Sequence, residues 1–493
     1  MSKKVVVIGA GFSGLSAATT LAAKGYNVKL VEKHNIAGGR ARIFEAEGFR
    51  YDMGPSWYWM PDVFEQYFAT FGKKVEQYYQ LERLNPSYRV YFEKNNAWDI
   101  PANLNDFKDF LETKEKGSAK QLDRFLAQAA YKYQVGINDL VYKPSRSLLE
   151  FVDLRLLMAL FRMDVFTSMH KHIRRFFKHP HIIQLMEFPI LFLGALPQNT
   201  PALYSLMNYA DIALGTWYPK GGMYEIVRGM QRLAEENGVE FFFSHEVQKI
   251  EVMGKNAKKV ITSKGDFEAD VVVVSADYHH AETNFLASEH RSYSEKYWDS
   301  RTMAPSSFLY YLGLNKKVPQ LLHHNLFFDT DFDKHAREIY QTPKMPTDPL
   351  FYTSVPSITD PNIAPEGHEN MFILIPIAPN LEDPENLREH YYNVVMERLA
   401  QHIGEDLRPH VIYKRNYSHQ DFMQDYGAYK GNAYGLANTL MQTAILKPSL
   451  KSKKVNNLYY TGQLTVPGPG VPPSLISGQV VAKEIAKDFA IIP

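Results

Sequence analysis

The stretch Val5–Glu32, VVVIGAGFSGLSAATTLAAKGYNVKLVE, decides how the rest of the chain is read. Val5-Val6-Val7-Ile8 is an apolar, β-branched run, the composition of a buried parallel strand. Gly9, Gly11 and Gly14 follow in the spacing G-x-G-x-x-G, and Leu15, Ala18, Leu21 and Ala22 then recur at helical period. After the Gly25-Tyr26 turn, Val28 to Val31 forms a second apolar strand that runs into Glu32. Each part has a mechanical task in a dinucleotide-binding βαβ unit. Gly9 permits the tight turn, Gly11 lets backbone approach a pyrophosphate, and Gly14 lets the helix pack closely on the strand. The helix N-terminus offers unpaired N–H groups and partial positive charge to the phosphates. Glu32 accepts hydrogen bonds from ribose hydroxyls. A glycine-rich turn in an ordinary α/β protein would leave Glu32 without a task.

Composition bounds what surrounds this unit. At 493 residues the chain exceeds what one hydrophobic core supports, so two or three domains are expected. A hydrophobic fraction of 45% argues against disorder, and a net charge of +1 provides no global field to recruit nucleic acid. The absence of cysteine excludes disulfides, thiolate metal sites and thiol catalysis, which suits a reducing cytosol. No secretory apolar region precedes the first strand. Apolar stretches such as Phe188–Leu196 are broken by Pro189 and Gly194 and fall short of the ~18–20 residues that span a bilayer. The expectation is a protein that does not cross a membrane, with surface attachment left open. The pairs His279-His280 and His323-His324 have no second ligand pair at metal spacing and are expected to be solvated loop histidines, with no metal bound.

Beyond Glu32 come Gly38-Gly39-Arg40-Ala41-Arg42 and then Phe49 to Ser56. A simple NAD enzyme has no need of this second glycine pair, whereas a glutathione-reductase-like flavoprotein lays such a loop along pyrophosphate and flavin. Arg40 and Arg42 are placed to neutralise phosphate or steady the ring. Helices are expected at Asp106–Leu111 and Ala119–Val135. Ser147–Lys178 is rich in Leu, Met and Phe and ends in the cluster Lys171, His172, Arg174, Arg175, Phe176, Phe177 and Lys178. Such a segment lies at a membrane interface, or is a core helix with cations at its C-terminal end. Strands resume at Gly238–Phe243, Val247–Val252, Lys259–Thr262 and Val271–Ala276, with Val247 a candidate for backbone contact on the adenine side. Ser306–Leu314, Leu326–Phe328, Phe351–Ser357 and Met371–Pro379 read as further strands, and Glu385–Gln401 as a long helix. Near the C-terminus, the strand Asn457–Gly462 leads through Pro467-Gly468-Pro469-Gly470-Val471-Pro472 to a helix over Leu475–Phe489. A turn that presents backbone N–H groups as it enters a helix can hold the flavin pyrimidine or ribityl side.

Together these blocks resemble the bacterial-type phytoene desaturases and other carotenoid desaturases within the amine-oxidase-like FAD flavoproteins. The resemblance rests on the first glycine motif with Glu32, on Gly38-Gly39-Arg40 with Asp52-Met53-Gly54-Pro55-Ser56, on Trp217 to Met223, and on the C-terminal turn. It extends over nearly the whole chain. Two departures stand out: Val466 where relatives often carry histidine, and Pro473 where they often carry glycine. The implied fold is α/β, with a Rossmann-like, glutathione-reductase-like FAD-binding domain drawn from residues 1–85, 217–300 and 450–493. An α+β substrate domain (86–104 and 301–449) is inserted in it, with a helical, membrane-facing subdomain over 105–216. The implied FAD contacts are Gly9, Gly11, Phe12, Ser13, Gly14, Glu32 and Lys33 at the front, then Gly39, Arg40, Gly54, Pro55 and Ser56. Val247 follows, and Gly462, Gly470, Val471 and Pro472 close the set. The implied reaction is stepwise desaturation of phytoene toward lycopene by hydride transfer to flavin and proton loss, with quinone or oxygen as electron acceptor. The enzyme would be cytoplasmic and attached peripherally to the membrane that holds its C40 substrate. Asp153 with Arg155 is the candidate catalytic pair. Sibling carotenoid isomerases, hydroxy-carotenoid 3,4-desaturases and oxygenases share these motifs. An amine or protoporphyrinogen oxidase, and a non-catalytic isoprenoid binder, are the more distant alternatives.

Overall fold

The computed structural model describes residues 2–147, 150, 163–191 and 196–490. Its centre is a five-stranded parallel sheet of β1 (Lys4–Ile8), β2 (Asn27–Val31), β3 (Glu240–Phe242), β4 (Val271–Val274) and β5 (Leu458–Tyr460), in the order β5-β4-β1-β2-β3. Both faces are covered, which is why β1 and β4 are continuous apolar runs rather than alternating ones. Val5, Val7, Val271 and Val273 point to one layer, formed by α1 (Phe12–Ala22), α2 (Tyr224–Glu236) and α3 (Val471–Asp488). Val6, Ile8, Val272 and Val274 point to the other. There they meet Ile250 and Val260 of an antiparallel three-stranded meander (Val247–Met253, Asn256–Thr262, Gly265–Glu268). The period of two along each strand sorts the side chains between the layers.

A seven-stranded sheet forms the second lobe. Its strands run in the order Val411–Tyr417, Ser306–Leu314, Glu369–Ile377, Phe351–Ser354, His324–Phe327, Tyr88–Glu93 and Asn96–Ile100, all antiparallel except the parallel pair His324–Phe327 and Tyr88–Glu93. Phe308, Tyr310, Ile373 and Ile375 face the helix Glu385–Ile403 through Tyr391, Val395, Met396 and Leu399. Alternate residues Leu309, Tyr311, Phe372 and Leu374 face the first lobe. Between Leu104 and Ala213 the described elements are helical: Leu104–Lys114, Ser118–Val135, Met169–Ile173, Pro180–Leu191 and shorter turns. Among the described residues no helix is long and apolar enough to cross a membrane.

Four sequence expectations change. The last helix starts at Val471 rather than Leu475, with Pro472 and Pro473 in its first turn, where the missing N–H has no intrahelical partner to lose. The strand expected over Phe351–Ser357 ends at Ser354 and passes into a 3-10 turn at Pro356. His323 and His324 are not solvated: both are buried, and burial holds the His323 imidazole at about 3 and His324 well below its ordinary value. His279 and His280 sit half-buried on a helix, Tyr278–Phe285, with His279 Nε2 2.9 Å from Glu295. Residues 148–149 and 151–162 of the Ser147–Lys178 stretch lie outside the described residues. The rest is not one amphipathic helix. It is a turn, a short helix Met169–Ile173, and the buried His172, Phe176 and Phe177, with Arg174 paired to the buried Glu187.

Candidate functional site

A cavity of about 310 Å³ opens where the carboxyl ends of β1, β2 and β4 meet the second lobe, the crevice in which open parallel sheets bind ligands. One wall begins at the turn between β1 and α1. A Cβ on Gly14 would lie 1.9 Å from the Gly9 carbonyl oxygen, so only glycine lets α1 start this close to the strand. A Cβ on Gly11 would meet nothing within 4 Å and would fill the cavity itself. Gly11 is the N-cap of α1, and no side chain caps it. Glu32, 6% exposed, accepts hydrogen bonds from the Ala10 N–H at 2.8 Å and the His34 N–H at 3.0 Å, which fixes its carboxylate at the end of β2.

The opposite end of the cavity belongs to α3. Its N-cap is Gly470, with no capping side chain and no acidic residue in its first turn; α1 likewise lacks an acid there. The two helices touch near their N-termini: a Cβ on Gly478 would stand 2.4 Å from the Ser13 carbonyl oxygen, and Ser16 Oγ donates to the Leu475 carbonyl at 2.7 Å. Two uncapped N-termini therefore converge on one cavity, an arrangement that favours an anion at each. Ser477 Oγ, which accepts from the Gly462 N–H at 3.0 Å, ties the end of β5 to α3.

Arg40 adds a half-buried cation whose Nε is fully buried. Among the described residues its Nε has no partner, while its Nη2 lies 3.4 Å from the Asn432 carbonyl and donates at 3.0 Å to Gln463 with the amide oxygen turned toward it. Burial lowers the Arg40 pKa while Asp277 opposes the shift; burial raises the Asp277 carboxyl while Arg40 pulls it down. A half-buried guanidinium with an idle donor beside an open cavity fits a phosphate-bearing ligand. Arg42, by contrast, is committed to Asp425 at 2.7 Å.

Of the sequence candidates, Gly9, Gly11, Phe12, Ser13, Glu32, Lys33, Gly39, Arg40, Gly54, Pro55, Val247, Gly462, Gly470 and Val471 line this cavity. Gly14 and Pro472 lie in first turns of the helices behind the wall. Ser56 is not on the wall; it accepts from the Tyr352 hydroxyl at 3.0 Å and borders a separate small void. Asp153 and Arg155 fall outside the described residues. Sequence reasoning missed Asp277, His245, Tyr426, Tyr434 and Gln463, all on the wall. Asp277 carried a legible signal, three residues past the end of β4. Tyr426 and Tyr434 arrive from the second lobe and carried none. Ser307, Leu309, Leu374 and Phe422 close the far side with an apolar surface. Among the described residues no three His, Asp or Glu side chains are grouped so as to hold a metal.

The fold and cavity are those of a flavin-dependent oxidoreductase, and the chain belongs to the family of flavin containing amine oxidoreductases, whose family model matches residues 12–486. Its cofactor is FAD. Within that family it falls with the carotenoid desaturases. It is 42% identical over 488 residues to a carotenoid 3,4-desaturase from Haloarcula japonica, covering 99% of this chain and 98% of that protein. It is 31% identical over 490 residues to a zeta-carotene-forming phytoene desaturase from Myxococcus xanthus, covering 98% and 94%. Among solved structures, an oxidoreductase from Methanosarcina mazei superposes with a TM-score of 0.62 at 17% identity, covering 97% of this chain and all of that one.

Proposed function

We propose that the protein is an FAD-dependent carotenoid desaturase acting at the 3,4 position, near the end of an already conjugated C40 polyene. The observation that carries this is an FAD cavity closed by apolar side chains of the substrate sheet, in a chain 42% identical along its length to a carotenoid 3,4-desaturase. FAD bound there would supply the hydride acceptor, with a quinone or oxygen as the final electron acceptor. One substrate carbon loses hydride, its neighbour loses a proton, and the C–C single bond between them becomes double. The chain's own residues bind, orient and exclude water. The α1 N-terminus and Arg40 would hold the pyrophosphate, Glu32 the ribose, and Gly462, Gly470 and Val471 the flavin end. Leu309, Leu374 and Phe422 offer the polyene a dry surface.

Lycopene formation from phytoene is the second possibility, favoured by the 31% identity to a phytoene desaturase. Co-expression separates the two. Hosts accumulating phytoene, and hosts accumulating lycopene or a hydroxylated lycopene, are analysed by chromatography. New 3,4-desaturated pigment only from the conjugated precursors is the expected result. Lycopene from phytoene transfers the assignment to the second reaction, and no new pigment from a flavin-loaded enzyme in either host removes both. Asp153 with Arg155 is the proposed proton-handling pair. Asp153→Asn should lower turnover by ~10²–10⁴-fold with flavin content unchanged; unchanged turnover excludes the role.

We further propose that the protein is cytoplasmic and docks peripherally on the membrane through its helical subdomain. Phe166 is 85% exposed, five and nine residues before the exposed cations Lys171 and Arg175, a combination suited to an anionic interface. Arg174 is a poor site for charge reversal because it neutralises buried Glu187. Flotation of wild type with anionic liposomes is therefore compared with a Phe166→Asp, Lys171→Glu, Arg175→Glu variant. Equal flotation sinks the docking surface.

A further inference from the structure

The turn that leads into α3 has a buried cation behind it. Lys447 is 5% exposed, and its Nζ has no hydrogen-bond partner and no ion pair among the described residues. It lies against Gly468: a Cβ there would stand 3.4 Å from Lys447 Nζ and 3.2 Å from Asn438 Oδ1, which is also buried and has no donor. Gly468 and Gly470 both hold positive φ, 141° and 111°, so the backbone bends around the ammonium and enters α3 at the cavity wall. Ala433 and Tyr434, a few residues before Asn438, line the same cavity, as do Gly470 and Val471. Burial is the sole influence on the Lys447 pKa and lowers it to about 8.

A buried ammonium without a counter-charge is costly, and a negative charge arriving near it offsets that cost. Asn438 supplies none. The cavity that the adjacent turn borders receives one, because hydride transfer to FAD brings negative charge to the ring, which the α3 end of the cavity would take.

We propose that Lys447 is a positioning charge that, together with the uncapped N-terminus of α3, stabilises the two-electron-reduced cofactor over the oxidised one. The proposal rests on the assignment of the α3 end of the cavity to the flavin ring. It requires no particular substrate. Arg40, at the α1 end, then serves the permanently charged pyrophosphate, and Lys447 the charge that comes and goes.

The test is the midpoint potential of the bound flavin in the FAD-loaded protein, measured by dye equilibration without substrate. Lys447→Met and Lys447→Gln should each favour the oxidised form at least tenfold, a shift of about 30 mV to lower potential for a two-electron couple. Lys447→Arg should retain the wild-type potential. Asn438→Asp leaves the lysine in place, sets a carboxylate beside it, and should lower the potential as well. Potentials that follow charge in this way, whatever pigment the enzyme makes, carry the proposal. A potential indifferent to charge at both positions overturns it and leaves Lys447 a packing residue. Should the Lys447 variants fail to hold FAD, Asn438→Asp decides alone, and a wild-type potential there also overturns the proposal.

Discussion

Glu32 shows how much one buried carboxylate does at the residue scale. It terminates β2, accepts two backbone N–H groups and stands at the cavity wall. Glu32→Ala leaves both donors unsatisfied and should cost the apoprotein about 1–3 kcal/mol. FAD affinity should also fall, measured by denaturant unfolding and by FAD titration; an unchanged affinity would remove Glu32 from the ribose. Asp211 carries the opposite burden. It is buried, receives the Tyr88 hydroxyl at 2.8 Å and Thr216 Oγ1 at 3.4 Å, and has no cationic partner among the described residues, so burial pushes its carboxyl up to about 7. An acid with a raised folded pKa binds its proton more tightly when folded. Its contribution to stability is therefore complete below about pH 4 and lost as pH rises through 7. Asp211→Asn should remove this component, so that stability falls less between pH 4 and 7 than in wild type, by a few kcal/mol. Parallel pH–stability curves for the two proteins would refute the assignment.

At the scale of elements, the site depends on how closely α1 and α3 cross. Gly478 lets them touch, and Gly478→Ala must push α3 off Ser13 and Ser16. The expected outcome is a loss of about 1–3 kcal/mol in stability and a weaker FAD complex, because both N-termini move together. Thermal unfolding with and without FAD checks this. These two helices also mark the limit of what sequence reveals. The β1-α1-β2 unit is fully legible because its signals are local: a strand run, a glycine spacing, a helical period and a terminal acid. The start of α3 was obscured because Pro472 and Pro473 signal a turn unless the helix N-terminus is known to accept them. His323 and His324 read as solvated because polarity governs a short window, whereas here the second lobe buries them, with His324 stacked on Trp57 at 4.1 Å. Likewise the basic cluster after Lys171 looks like one charged face, yet Glu187, contributed by another helix, takes one of its cations.

Across the whole molecule, a five-stranded sheet is built from strands as far apart as Lys4 and Tyr460, and the cavity joins that sheet to a second lobe threaded through the middle of the chain. The sheet draws its strands from three stretches of the chain, 4–31, 240–274 and 458–460, and the first glycine motif and the C-terminal turn that flank it are both readable from local sequence. Which residues of the inserted lobe line the cavity was not legible, because Tyr426, Tyr434 and Phe422 are brought there by long-range packing. Tyr26 donates to the Phe489 carbonyl at 2.9 Å, and Arg146 and Lys451 both reach Asp488, so the C-terminus is tied to the first lobe even without ligand. Across the cavity, Ser307, Leu309, Phe422 and Tyr434 face Gly11 and Val471, and this wall is tied to the first lobe at its edge by Arg42 with Asp425, by Lys33 Nζ donating to the Gln424 carbonyl and by the Tyr311 hydroxyl donating to the Met53 carbonyl. FAD filling that space contacts both lobes at once and should stabilise them as a unit, by about 2.7 kcal/mol at a free concentration 100 times its Kd. Stripping FAD should therefore lower the melting temperature and split one calorimetric transition into two, with protease cleavage entering the 301–449 lobe first. Adding FAD back should raise both transitions with its concentration until they merge. A stripped protein that still melts in a single transition at the holoenzyme temperature would mean that the lobes are locked by their own packing, with the cofactor bound against a wall already rigid.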